Sequence, residues 1–266
     1  MQPQNPAVCD YEGSTYRKDF WEGKGREYED AVERVALRRL LPLAGRRYVE
    51  FGAGFGRLAD EATRYDQVVL MDYSRTLLQD AQSHLGRSER YLYVAADLYR
   101  LPFAANAFDT AIMCRVIHHL ADAPAALRQI RASLTPGATF VLEYANKQNL
   151  KAILRYLLRR QRWSPYAQEP IEFVKLNFDF HPDYISRALK ESGFIAGKRL
   201  AVSSLRLGAA KRLLPLSLMV VLDKLIQPTG GFLPISPSIF VENKTPGQRE
   251  AIAPLDKLFK CPTCSA

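Results

Sequence analysis

Short apolar runs bounded by glycine alternate with longer amphipathic stretches through most of the chain. From Glu27 to Leu41 the apolar positions Ala31, Val32, Val35, Leu37, Leu40 and Leu41 recur at helical spacing, and Pro42 ends the pattern. Tyr48-Val49-Glu50-Phe51 then reads as a strand running into Gly52-Ala53-Gly54-Phe55-Gly56. A helix is predicted from Arg57 to Tyr65, a second strand from Gln67 to Asp72, a helix from Ser74 to Leu85 and a third strand from Tyr91 to Ala95. The series continues with a strand at Phe108 to Cys114, a helix at Ala123 to Leu134 and a fifth strand at Ala138 to Tyr144. Strands alternating with helices imply right-handed βαβ units and a parallel sheet.

Beyond the fifth strand the pattern loosens. Lys147 to Arg162 reads as a basic helix, and Trp163 to Phe180 as an irregular aromatic stretch. Asp183 to Ser192 is helical and is stopped by Gly193; Phe194 to Leu207 holds a sixth strand. Leu213 to Ile226 is read as a helix, and Ser238 to Glu242 as a seventh strand. The expected organisation is a leader or lid at 1–26, a main α/β domain at 27–244 with an insertion at 147–180, and a polar tail at 245–266 outside the core.

The glycine loop carries the strongest chemical signal. Glycines after a parallel strand let the backbone turn tightly and let a ligand lie against it, and the free N–H groups at the start of the following element can meet a negative charge. The dinucleotide fingerprint is G-x-G-x-x-G. Here the third glycine comes one residue early and Arg57 stands in its slot, which disfavours NAD and fits a ligand without a pyrophosphate. Asp72, at the end of the second strand, can accept from both hydroxyls of a ribose. Asp97, after the third strand, is placed to accept from an adenine amino group.

These strings, together with Asp72-Tyr73-Ser74, Ala96-Asp97-Leu98, Leu101-Pro102-Phe103, Val116-Ile117-His118-His119-Leu120 and Leu134-Thr135-Pro136-Gly137-Ala138, each fall at the matching strand end. In that order the chain resembles the class I S-adenosylmethionine-dependent methyltransferases, in particular the small-molecule branch of ubiquinone/menaquinone-biosynthesis type. The resemblance covers about residues 28–242. It implies a Rossmann-like α/β fold with a seven-stranded, mostly parallel sheet of order 3-2-1-4-5-7-6 and an antiparallel seventh strand. It also implies S-adenosyl-L-methionine as cofactor. By the same resemblance Glu50 with Gly52, Gly54 and Gly56 holds the methionine moiety, Asp72 the ribose, and Asp97 with Leu98 the adenine, and Ala53 and Tyr73 belong to the same cofactor site. Cys114, Arg115 and Val116 line the pocket.

A sulfonium methyl donor is already activated, so alignment and exclusion of water matter most; a base is needed only where the acceptor must lose a proton. The candidates for a base are His119, Tyr144 and His181, with His118 beside them. Trp163, Tyr166, Phe173, Phe178 and Phe180 in the insertion suggest an apolar or aromatic small-molecule acceptor. Tyr16-Arg17 and Phe20-Trp21 can either fold over the cofactor or cover a sheet edge.

Composition narrows the partners. The chain has 266 residues, 47% hydrophobic and 24% charged, ordinary for a globular domain that needs no staples. An excess of 37 Lys+Arg over 28 Asp+Glu gives +9, which suits an anionic partner or a plain solvated surface. A basic amphipathic helix at 147–162 fits peripheral contact with an anionic membrane, although its more common role is a solvated face over a core stripe. No secretory leader or membrane-spanning run is read, so a cytoplasmic location is expected.

Two rival readings stand beside the small-molecule enzyme. One is an RNA methyltransferase using the basic surface; against it, strand four ends in Met113-Cys114-Arg115-Val116, without the Asn/Asp-Pro-Pro-aromatic loop or Pro-Cys pair of base methylases. The other is a non-catalytic S-adenosylmethionine-binding protein. Cys261-Pro262-Thr263-Cys264 has half of a zinc-ribbon spacing, and with no second such pair no metal site is expected.

Overall fold

A computed structural model describes residues 6–260. Its centre is a seven-stranded sheet. In chain order the strands are β1 (Gly45–Phe51), β2 (Tyr65–Asp72), β3 (Tyr91–Ala95), β4 (Phe108–Met113), β5 (Leu134–Ala145), β8 (Ile195–Val202) and β9 (Ser238–Lys244). A separate hairpin of β6 (Ile171–Val174) and β7 (Asn177–Asp179) interrupts the count. The sheet order is β3-β2-β1-β4-β5-β9-β8. Counting sheet strands alone, that is the expected 3-2-1-4-5-7-6. β1 to β5 pair in parallel, and β9 runs antiparallel to both β5 and β8. The order reverses between β1 and β4, and open α/β sheets place a ligand crevice at the carboxyl ends of such neighbours.

Two apolar layers sandwich the sheet. α1 (Glu27–Leu40), α2 (Arg75–Leu85) and Met219 of α7 (Leu216–Ile226) pack on one face around Tyr48, Leu58, Leu70 and Phe240. α3 (Ala123–Ser133) and α5 (Pro182–Glu191) pack on the other around Phe51, Phe108, Phe140 and Tyr144. Every position of β4 is buried, as a central strand covered on both faces requires. Local chemistry sets the helix starts. Ser74, Asp122 and Asn149 each accept from the backbone N–H three residues on, at the heads of α2, α3 and α4 (Leu150–Leu157).

The structure departs from the sequence reading in four places. The stretch from Arg57 to Tyr65 is not a helix: only Ala59–Ala62 makes a 3-10 turn, and Tyr65 already belongs to β2. Arg90 donates to the carbonyls of Ala62 and Tyr65 and holds this turn against the start of β3. The basic helix is confined to Leu150–Leu157, and the stretch called irregular contains the β6–β7 hairpin. The helix read from Leu213 to Ile226 begins only at Leu216, after Pro215, as α7, and Leu213 instead ends a short α6 (Gly208–Leu213).

The tail after Lys244 also returns to the body. Arg249 donates to Asp109 at 2.7 Å, Leu258 is fully buried, and the Phe259 ring stacks on Phe103 at 5.8 Å. The Cys261–Cys264 pair lies outside the described residues. Among the described residues no helix is long and apolar enough to cross a membrane.

Candidate active site

Tyr48 to Phe51 are buried in the sheet centre, so the chain must leave β1 by a tight turn at its carboxyl end. Gly52 makes that turn at φ +74°; a Cβ there would lie 2.2 Å from Val116 Cγ2 on the loop after β4. Gly54, at φ +54°, has nothing within 4 Å of the place a Cβ would occupy, so the backbone presents open space. Its N–H donates to Asp72 Oδ2 at 2.7 Å, and Asp72 Oδ1 accepts from Ser74 N at 2.9 Å. The carboxylate at the end of β2 thereby braces the loop after β1.

A cleft of about 900 Å³, open at its mouth, lies over these strand ends. The β1 end contributes Glu50, Gly52, Ala53 and Gly54 to its wall; the β2 and β3 ends contribute Asp72, Tyr73, Asp97 and Leu98. Cys114, Arg115 and Val116 close it from β4. Gly56 is not on the wall; its position packs against Leu85 and Ala81 of α2. The leader contributes residues that carry no motif: Val8, Cys9 and Tyr11, joined by Tyr16 and Trp21.

Electrostatics distinguish the acids. Glu50 is completely enclosed, and burial pushes its carboxyl up to about 8, with Asp72 opposing ionisation further and Arg57 favouring it. Its Oε2 has no hydrogen-bond partner among the described residues. A buried, orphaned carboxylate oxygen beside a cleft calls for a cationic or donating group from a ligand. Burial also raises Asp72, against the opposing hydrogen bonds from Ser74 and Gly54. Cys114 is held as a thiol by burial.

Behind the cleft, Glu33 of α1 is buried between two guanidinium groups. It accepts from Arg57 at 2.7 Å and from Arg115 Nε at 2.8 Å. Burial raises the Glu33 carboxyl, and the two arginines more than reverse this, so it lies below its usual range. Arg57 also meets Asp30 and lies 4.0 Å over the Trp21 ring. Arg115 holds a left-handed backbone, φ +58°, while its N–H donates to Glu143 at 2.8 Å.

A second cavity of about 350 Å³ adjoins the first and shares Tyr11, Tyr16, Trp21, Arg115 and His119 with it. Its own walls include Arg26, His118, Glu143, Phe173, Asp179 and Arg206. His119 stands at the junction. Its Nδ1 donates to the Leu176 carbonyl at 3.1 Å, leaving Nε2 to accept from the Tyr11 hydroxyl at 3.4 Å. Burial lowers its pKa, so the ring is neutral near pH 7. Burial likewise pushes Asp179 up to about 6. Tyr144 and His181 line neither cavity. Tyr144 is packed in the core with Phe140 and Leu142, and His181 caps α5 by accepting from Asp183 N. Asp179 and Arg26 were missed in the sequence because neither belongs to a motif; the hairpin and the α1 entry bring them in.

A doubly wound sheet with a glycine turn and acids at three consecutive strand ends defines a nucleoside-binding α/β domain. Residues 49–142 match the protein family described as "Methyltransferase domain", and the sheet order around that segment is that of the Rossmann-like methyltransferase fold. Demethylmenaquinone methyltransferase of Corynebacterium kroppenstedtii is 34% identical over 110 residues, covering 41% of this chain and 46% of that protein. The chain thus spans less than half the length of this curated relative. The fold is shared with a chain in the complex between the Haloferax volcanii Trm112 methyltransferase activator and a methyltransferase. That match has TM-score 0.61 and 15% identity over 87% of this chain and 96% of the other. It is also shared with magnesium protoporphyrin IX methyltransferase from Synechocystis PCC 6803 with bound SAH. Here the TM-score is 0.53 and identity 16%, over 89% and 90% of the two chains.

Proposed function

We propose that the protein transfers a methyl group from S-adenosylmethionine to a small-molecule acceptor that has an apolar part. The observation that carries this is the orphaned Glu50 oxygen beside an open glycine turn, a fit for the ammonium of the methionine moiety. Gly52, Ala53 and Gly54 lie along that moiety, and Gly56 supports them from behind by packing on α2. Asp72 and Tyr73 serve the ribose, and Asp97 and Leu98 the adenine. Cys114, Arg115 and Val116 form the wall on the acceptor side. When bound, the cofactor supplies an activated methyl group on a sulfonium centre.

The acceptor occupies the second cavity, whose Phe173 supplies apolar contact. Tyr11, Tyr16 and Trp21 cover both spaces and exclude water, as a lid over the reaction. His119 fits the role of base best among the histidines and Tyr144, since neutral Nε2 carries a lone pair at the junction. It would take a proton from an O–H or N–H acceptor as the methyl is transferred. The same reading puts the protein in peripheral contact with an anionic membrane, from which an amphiphilic acceptor can be drawn.

Calorimetric titration with S-adenosylmethionine and S-adenosylhomocysteine tests the core of the proposal. Both should bind, and Asp72→Ala should weaken binding at least about tenfold by removing the brace on Gly54 and the ribose acceptor, about 1.4 kcal/mol or more. No binding of either nucleoside by the wild-type chain refutes the proposal; unchanged affinity in the variant removes the ribose assignment.

A further inference from the structure

In α4, Leu150, Leu154 and Leu157 recur at the i, i+4 and i+7 positions of one helical stripe, extended by Leu158. In an ordinary surface helix that stripe is the buried one. Here it is the reverse. Ala152, across the helix, is the only buried residue of α4, and Leu157 and Leu158 are 66% and 62% exposed. The leucines therefore point away from the body.

The surroundings continue the pattern. The Leu150 N–H donates to the Ile235 carbonyl at 2.8 Å, and Asn146 Nδ2 donates to the Pro234 carbonyl, pinning α4 to the loop that carries Phe232 and Leu233. Phe232 is 77% exposed. On the β6–β7 hairpin, which follows α4 in the chain, Phe173 and Val174 are exposed as well, and Phe173 also lines the second cavity. Large apolar side chains exposed together in this number mark an interaction site.

Charge selects the occupant. Lys151, Arg155, Arg159, Arg160 and Arg162 are all exposed, and none forms an ion pair among the described residues. A second copy of the chain would bring two such clusters together, and a polyanion such as RNA would leave the leucines in water. An anionic bilayer satisfies both features at once, with leucines in the acyl boundary and cations at the phosphates.

We propose that α4, the 232–233 loop and the tip of the β6–β7 hairpin form a docking face for anionic phospholipid, which sets the acceptor cavity against the bilayer. This rests on the acceptor reading above and specifies its partner surface. Docking delivers an amphiphile to the cavity by its polar end, without transit through water.

Sedimentation with vesicles of phosphatidylcholine and phosphatidylglycerol at 3:1 tests the proposal. The full chain should bind them at low salt, at least about tenfold more strongly than pure phosphatidylcholine, and lose binding as salt screens the cations. Leu154→Glu/Leu157→Glu and Arg155→Glu/Arg159→Glu should each lower binding about tenfold or more. Because neither pair lines the cofactor cleft, both variants should keep the thermal shift given by S-adenosylhomocysteine. Failure of the wild-type chain to sediment overturns the docking face, as does wild-type binding by either variant. A self-associating chain that these substitutions turn monomeric overturns it too, in favour of a protein interface. A chain that binds vesicles without shifting with S-adenosylhomocysteine overturns the cofactor reading alone.

Discussion

Glu50 shows how a single residue links folding to ligand binding. The unfolded chain releases this proton in the ordinary carboxylate range, whereas burial in the folded chain holds it up to about pH 8. Between those values the folded state binds more protons than the unfolded one, so stability falls as pH rises through the window, and the loss is complete above about 8. Glu50→Gln imitates the protonated form. At pH 8.5 it should melt at least roughly 2 °C above the wild type, with the gap nearly closed near pH 5. Cofactor affinity should move the opposite way, dropping in the variant, because an ammonium group needs the ionised partner. Thermal melts at the two pH values decide the first part: an equal gap at both would mean that the buried carboxyl does not titrate as described. The residue was legible from its place before the glycines. Its orphaned oxygen was not, because only tertiary packing shows which lone pairs lack partners.

At the scale of elements, α1 is tied to the loops after β1 and β4 by one buried carboxylate. Glu33 meets Arg57 and Arg115, whose side chains are themselves mostly enclosed. Removing one member of such a group leaves uncompensated charge in a dry place. Glu33→Ala should therefore cost about 3–5 kcal/mol, read as a lower urea midpoint. A loss below about 1 kcal/mol would show that water reaches the arginines and that the group behaves as a surface pair. None of this connectivity was visible in the chain itself, because a helix heptad and two loop arginines carry no mutual spacing rule. Parallel strands were easier: apolar runs such as Val68 to Met71 and Tyr91 to Ala96, followed by Asp72 and Asp97, announce themselves. The β6–β7 hairpin stayed hidden because Leu176 takes φ +55° in its turn, where a glycine or asparagine would ordinarily give the signal. Tyr144 and His181 were misplaced for a related reason. Proximity to a strand end does not say which sheet face a side chain joins, and a histidine before Pro182 serves as a helix cap as readily as a base.

For the molecule as a whole, the two ends of the chain do different work. Val8, Cys9, Tyr11, Tyr16 and Trp21 line the cleft, while Arg249 to Phe259 pack elsewhere on the body, with no apolar pattern in their sequence beyond Leu255, Leu258 and Phe259. Leu258 fills a place in the core near Phe103, and the Ala253 carbonyl accepts from Arg47 at 2.9 Å. Arg47 is only 2% exposed, so losing that acceptor leaves a buried cation with fewer partners. Ending the chain after Gly247 removes the buried leucine, the Phe259 stack, the Arg47 acceptor and the Arg249 contact to Asp109 together. Loss of one buried leucine alone costs about 2–5 kcal/mol. The truncated chain should lose at least about 3 kcal/mol, or roughly 6–12 °C in melting temperature. The cofactor cleft contains none of these residues, so the thermal shift with S-adenosylhomocysteine should persist on the lowered baseline. A melting temperature within about 2 °C of the wild type would make the tail a detachable strap. A cleft emptied of affinity would mean instead that the tail sets the geometry of Glu50 and Asp72, through β1 and β2.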